Sequence, residues 1–307
     1  MSRRTERIVQ RLSIKYNTNY DLIRELVELI GGDQTMQILE MKPKNLRPTA
    51  RVNLTKVNRE EAIRRLRSES IKAKPLDTVP EGIEITHGAK KIGSSLSYLT
   101  GEIMPQGLGS MLTIMALDPK PGEIILDMSA APGGKSCFIG ERMQGEGTLH
   151  VNDISTQRYP SLMYNLARHD ISNTVFHNTD GKNITVRNLD KILLDAPCTG
   201  GGLLVSDPSR RNSRDLTDSI QLQRLQVQLL RHALSLLPSS GVCVYATCAI
   251  SPLENEQVVE TVAKDVDFIT PQIMGEDAYL ENQPIGKRMF PHLHRCDGFF
   301  IVKMVKK

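Results

Sequence analysis

The sequence predicts a Rossmann-like, doubly wound α/β sheet preceded by a small N-terminal α/β domain, with the division near residue 95. Three observations carry this. From about residue 106 the chain repeats strand–loop–helix units, the pattern of a parallel sheet covered on both faces. A glycine-rich loop follows the first of these strands, and acids end the next two. Charge also divides: residues 1–95 hold 19 Lys+Arg against 12 Asp+Glu, whereas 96–307 hold 20 against 23.

In the first domain, Ile8, Leu12 and Ile14 form a helical stripe, and Leu22, Ile23, Leu26, Val27 and Ile30 form a second behind Asp21. Gly31-Gly32 is expected to stop that helix. Arg51–Thr55 alternates like a half-buried strand. Asn58, with Glu61 three residues later, opens a helix whose polar face carries Arg64, Arg65 and Arg67. In the second domain, strands are expected over 123–128, 147–153, 173–179, 191–196, 242–247 and 298–304. Helices are expected near 135–143, 156–169, 217–237 and 252–264. The connection from Gly200 to Leu216, rich in Ser, Arg, Asp and Gly, has the length of a functional loop.

A chain of 307 residues with 39% hydrophobic and 24% charged content is ordinary for a soluble protein. No apolar run has the length of a membrane span or a signal peptide. The five cysteines are odd in number and lack a Cys-x-x-Cys pair, so a reducing cytoplasm is expected and a metal is not. The cluster His292, His294 and Cys296 reads as an irregular loop. The net +7 of residues 1–95 fits a module that grips a polyanion and, on charge alone, fits a solvated basic surface equally well.

Ile124–Asp127 runs into Met128-Ser129-Ala130-Ala131-Pro132-Gly133-Gly134-Lys135-Ser136. Small residues there let a ligand approach the backbone above a helix N-terminus. A phosphate-binding P-loop would need glycine at position 129, which holds serine, but the match is otherwise close and Ile192–Asp195 would serve as its acidic strand. A P-loop NTPase therefore stays open as an alternative, as does a non-catalytic RNA-binding protein. A dinucleotide Gly-x-Gly-x-x-Gly is absent. An S-adenosylmethionine loop needs an acid at the end of the second strand, and Asp153 stands there. Asp180 ends the third strand, within reach of an adenine.

Two apolar runs end in thiols: Lys191–Cys198, closing in Asp195-Ala196-Pro197-Cys198, and Val242–Cys248. Cys137 and Cys243 read as small core residues. Cys198 and Cys248 stand where a parallel sheet presents its chemistry. A thiolate added to carbon 6 of cytosine makes carbon 5 nucleophilic toward a methyl sulfonium. An acid near ring nitrogen 3 assists the addition.

Together these residues resemble the Sun/RsmB family of RNA (cytosine-5)-methyltransferases. The resemblance runs through nearly the whole chain. It is most specific in Asp127–Lys135, in Asp195-Ala196-Pro197-Cys198-Thr199-Gly200, and in Thr247-Cys248 followed by Glu254-Asn255-Glu256. Arg51-Val52-Asn53 and the late Arg288, Pro291-His292 and Asp297-Gly298-Phe299-Phe300 add to it. It implies an S-adenosylmethionine-dependent enzyme in which Cys248 is the nucleophile and Cys198 aids product release. Asp195 would bind the target cytosine, with Lys135 close by. Ala130, Ala131, Pro132, Gly133, Gly134, Lys135, Asp153, Arg158, Asp180 and Asp195 would surround the cofactor. Thr199 and Ala249 stand where the family usually has serine, and Gln106-Gly107 where an acid is expected. RNA is the expected partner, with transfer RNA favoured and ribosomal RNA the alternative. A monomer without metal or membrane attachment is expected, and the RNA grip falls to residues 1–95, Arg210–Arg214 and the crevice.

Overall fold

The computed structural model describes residues 2–212 and 216–307. Two helices, α1 (Arg3–Tyr16) and α2 (Tyr20–Glu40), precede a small sheet. Gly31 does break the helical path, with φ at 80°, yet the chain re-enters a helix and continues to Glu40. The Thr35 hydroxyl donates to the Gly31 carbonyl at 2.7 Å and closes the kink. The small sheet then comprises β1 (Thr49–Val52), β2 (Lys72–Pro75), β3 (Gly82–His87) and β4 (Ile103–Pro105), in the order β2-β3-β1-β4. Its helix α3 (Arg59–Ser68) starts where Asn58 accepts the Glu61 N–H at 2.9 Å. The expected strand at 51–55 ends early. Asn53 is buried and its side chain folds the chain back onto Thr55, so Leu54 lies exposed.

After α4 (Leu96–Leu99) and the apolar α5 (Leu108–Leu117) comes the large sheet. Strands β5 (Ile124–Asp127), β6 (Thr148–Asn152), β7 (Thr174–His177), β8 (Lys191–Asp195) and β9 (Val242–Thr247) are parallel, in the order β7-β6-β5-β8-β9. Helices α6 (Gly134–Met143), α7 (Tyr159–Arg168) and α8 (Leu216–Leu236) connect them. Beyond β9 the sheet turns antiparallel. The short α9 (Glu256–Glu260) leads to β10 (Val266–Ile269), β11 (Glu276–Leu280), β12 (Gln283–Met289), α10 (Pro291–His294) and β13 (Phe299–Lys306), with β13 against β9. Strands β10, β11 and β12 were not expected from the sequence. The helix expected over 252–264 shrinks to five residues because Asn255, at φ −116° and ψ −98°, is not helical.

Burial explains why this sheet needs two layers of cover. Along β8 and β9, Leu193, Val244 and Ala246 face one core with α5, α6 and α7. Ile192, Leu194, Cys243 and Tyr245 face the other with α8. The period of two, apolar on both sides, is that of a central strand. A third core packs α1 and α2 onto Leu204, Val205, Ile250 and Phe290 of the large domain, beside the thiol-bearing loops.

The two domains are also pinned by Arg51. This fully buried side chain of β1 donates from Nε to Gln106 Oε1 at 2.8 Å and forms an ion pair with Glu141 of α6. Glu141 in turn holds His169 Nδ1 at 2.7 Å.

Candidate active site

The ends of β5, β8 and β9 meet at the point where strand order reverses, the crevice position of open α/β sheets. Register places Asp195 beside Ala246, so the chain leaving β8 reaches Cys198 as β9 delivers Cys248. The two sulfurs lie 3.2 Å apart, and both thiols are half-buried. From α6, Lys135 Nζ donates to Asp195 Oδ2 at 2.7 Å and lies 5.6 Å from the centre of the Phe299 ring. A cleft of about 570 Å³ opens onto Lys135, Asp195 and Cys248. Its opposite wall comes from the N-terminal segment Pro43, Leu46, Arg47, Pro48 and Thr49, with Gln106 and Ser110. A larger cavity, about 790 Å³, lies at the far end of α6 against Arg142 and His169 and holds neither thiol.

The charges in this crevice are set unequally. The Cys198 thiol donates to Cys248, which draws the Cys248 pKa below its ordinary value. Burial and Asp195 oppose this shift and Lys135 supports it. The same hydrogen bond, with burial, pushes Cys198 up. Burial works against the Lys135 ammonium, but Asp195 more than offsets it, and the Lys135 pKa rises. The arrangement is therefore two thiols of unequal acidity, Cys248 the more acidic, beside the Lys135–Asp195 pair.

The second half of the site is the loop after β5. Gly133 takes φ 104°, a conformation glycine adopts without strain, and no side chain caps the N-terminus of α6. Asp153, 3% exposed, accepts the Ala131 N–H at 3.0 Å and the Ser155 N–H at 2.9 Å. Arg158 donates to both Asp153 Oδ2 and the Ala131 carbonyl, at 2.6 and 2.7 Å. Asp180, partly exposed, holds Lys182. Below the loop, burial raises the Asp127 carboxyl to about 7 even though Ser136 donates to it at 2.7 Å. An uncapped helix N-terminus and carboxylates at successive strand ends fit the carboxylate and ribose of a nucleoside amino acid. Pro132 follows a cis bond from Ala131.

Some residues that shape the site carry little signal in the sequence. Asn152 ties the Met128 and Thr179 carbonyls and the Thr179 N–H together, which fixes the ends of β5, β6 and β7. Gln226 of α8 reaches the Pro197 carbonyl at 2.8 Å. Gln106 turns its Oε1 to Arg51, and its buried Nε2 has no hydrogen-bond partner among the described residues. For Asn152 the cue was a polar residue ending an apolar strand; Gln106-Gly107 already stood where an acid is expected, and Gln226, between Gln223 and Gln228, offered none. Arg211, counted toward an RNA grip, spends its guanidinium on the Leu204 and Leu39 carbonyls. Arg210 lies by Asp207. Ser213 and Arg214 fall outside the described residues. Among the described residues no three His, Cys, Asp or Glu side chains cluster as a metal site, and no helix is long and apolar enough to cross a membrane.

A family model described as 16S rRNA methyltransferase RsmB/F matches residues 114–305, and a RsmF/B-like ferredoxin-like domain matches 22–90. The chain is 34% identical over 316 residues to the 26S rRNA (cytosine-C(5))-methyltransferase nsun-1 of Caenorhabditis elegans, covering 96% of this chain and 47% of that protein. It is 35% identical over 227 residues to a tRNA (cytosine(49)-C(5))-methyltransferase of Pyrococcus abyssi, covering 73% of each. Among solved structures, a methyltransferase homologue from Pyrococcus horikoshii superposes with a TM-score of 0.84 at 30% identity, over the whole of both chains. The chain spans about half the length, or less, of the first curated relatives it matches.

Proposed function

The chain belongs to the RsmB/F methyltransferase family, and from that premise we propose that it is an S-adenosylmethionine-dependent RNA (cytosine-5)-methyltransferase working through a covalent cysteine–cytosine intermediate. The observation that carries the mechanism is the pair of sulfurs 3.2 Å apart beside the Lys135–Asp195 pair. Residues 1–95 grip the RNA and 96–307 carry the chemistry, with β4 lending one strand to the N-terminal sheet.

In this reading the thiolate of Cys248 forms a bond to carbon 6 of the target cytosine. Asp195 holds the base edge near ring nitrogen 3, and Lys135 fixes and charge-balances Asp195. Ala130–Lys135 would hold the cofactor, with Asp153 and Asp180 available to its ribose and adenine, Arg158 bracing Asp153, and Asp195 at the shared edge. When bound, the cofactor supplies the methyl group that carbon 5 takes. Water in the cleft then takes the carbon 5 proton, the electrons of that bond restore the ring double bond, and the bond from carbon 6 to sulfur breaks to return the Cys248 thiolate. Cys198 assists this release. A stacked target base has to be turned out to reach the cleft.

Transfer RNA is the substrate we favour, on the two-way 73% coverage of the tRNA relative. Ribosomal RNA is the second reading, supported by rRNA relatives that cover 95–98% of this chain. Incubation with each RNA and a radiolabelled methyl donor separates the two. The thiol roles are tested on the same RNA. Cys248→Ala should abolish transfer, and Cys198→Ala should accumulate a covalent protein–RNA band. A band in the Cys248 variant and none in the Cys198 variant would reverse the assignment.

A further inference from the structure

We propose that Glu254 and Asn255 are positioning residues that set the distance between the two thiols, each clamping one of the loops that carry them. The proposal rests on the reading that both thiols share the reaction. Glu254 and Asn255 are fully buried neighbours in the chain, yet they face opposite loops.

Glu254 serves the Cys198 loop. Its carboxylate accepts the Thr199 N–H at 2.9 Å and the Thr199 hydroxyl at 2.5 Å. Gln226 Nε2 donates both to Glu254 at 3.0 Å and to the Pro197 carbonyl at 2.8 Å. The residues on either side of Cys198 are thus tied to one carboxylate. Asn255 serves the Cys248 loop. Its Oδ1 accepts the Thr247 hydroxyl at 2.6 Å, and its Nδ2 donates to the Ala249 carbonyl at 3.1 Å. These residues flank Cys248. Tyr245 donates to the Glu254 carbonyl at 2.6 Å and fixes the pair from β9. A carboxylate suits one loop because that loop offers donors. An amide suits the other because that loop offers a donor and an acceptor.

Such a clamp matters because the sulfur–sulfur hydrogen bond is short-ranged. The groups facing Cys248 are Cys198, Asp195 and Lys135, and Cys198 faces Glu254 as well. Of these, only the bond from Cys198 depends on holding two separate loops in register.

The test uses the full chain without RNA. Thr199→Val and Thr247→Val each remove one clamp hydroxyl while keeping size, and Glu254→Gln and Asn255→Asp change the clamps themselves. Two probes are read: the pH midpoint of Cys248 alkylation by iodoacetamide, and the rate at which diamide joins Cys198 to Cys248. Diamide takes up the two electrons and two protons that the thiols lose. We expect the alkylation midpoint to rise by about one unit, the size of one hydrogen bond to a charged group. Cross-linking should slow by about tenfold. Glu254→Gln should be milder than Glu254→Ala, because the Thr199 hydroxyl can reverse and accept. Folded Thr→Val variants with unchanged midpoints and cross-linking rates would overturn the proposal. Neither probe needs methyl transfer, so shifted midpoints in a chain that methylates no RNA would sink the proposed function and leave the clamp standing.

Discussion

Cys248 and Asp195 are neighbours with opposing effects, and this gives a signed prediction. Asp195 holds the Cys248 pKa up, and Lys135 holds it down. Asp195→Asn should therefore lower the pH at which Cys248 is alkylated while reducing RNA methylation by roughly 10²–10⁴-fold, the range of a lost acid–base group. Lys135→Met should raise the alkylation midpoint. Parallel iodoacetamide and methyl-transfer assays across pH check both. Asp127 makes a separate prediction about stability. Its folded pKa, about 7, lies above the usual carboxylate value. The folded state therefore binds more protons, and the stability present at low pH is lost as pH rises through about 7. Asp127→Asn should remove that loss, so the gap between urea unfolding at pH 5 and pH 8 should narrow by about 2 kcal/mol or more.

At the scale of elements, the five parallel strands were legible because each is a short apolar run with β-branched residues between turn signals. The thiol-bearing turns were legible because Pro-Cys and Thr-Cys end such runs. β11 and β12 were not: Glu276–Leu280 is half charged or polar, and Gln283–Met289 contains Pro284, Gly286, Lys287 and Arg288. They belong to the antiparallel margin, where one face meets solvent and propensity is weak. Glu254-Asn255-Glu256 stood out in the sequence, but its contacts as a loop brace were hidden for another reason. Glu254 and Asn255 meet Thr199 and Ala249 only after the chain has folded, and local pattern carries no trace of such contacts. Gly202 illustrates the same point. A Cβ there would sit 2.3 Å from the Gly298 carbonyl oxygen and 2.6 Å from that of Cys248. The Gly202 N–H donates to that Cys248 carbonyl at 2.8 Å. Gly202→Ala should cost about 3 kcal/mol or more, since backbone cannot yield as a side chain does. It should also depress methylation beyond the loss of folded protein, as shown by urea unfolding and by activity normalised to folded fraction.

Across the whole molecule, the charge division seen in the sequence has a structural counterpart at the cleft. Pro43, Leu46, Arg47, Pro48 and Thr49 form its N-terminal wall, and the exposed Lys42 and Lys44 flank Pro43 in the chain. RNA affinity should fall steeply with salt, and replacing Lys42, Lys44 and Arg47 with Ala should lower the slope of log Kd against log salt by about 2 to 3. An unchanged slope would remove this wall from the RNA grip. Arg51→Met should destabilise the chain by about 3–5 kcal/mol, because Glu141 would keep its bond to His169 but stay buried without its cation.

The buried Arg51 also has a mechanical meaning. It joins β1 to α6, and α6 carries Lys135 and the end of the loop proposed to hold the cofactor. The part that would grip the nucleic acid and the part that would do the chemistry are therefore tied by a buried ion pair, which sets the gauge between them. A hinge could bring two jaws to the base. A set gauge would oblige a bound RNA to bend and unstack over that distance, so that how easily the strand deforms would become a means of choosing its cytosine.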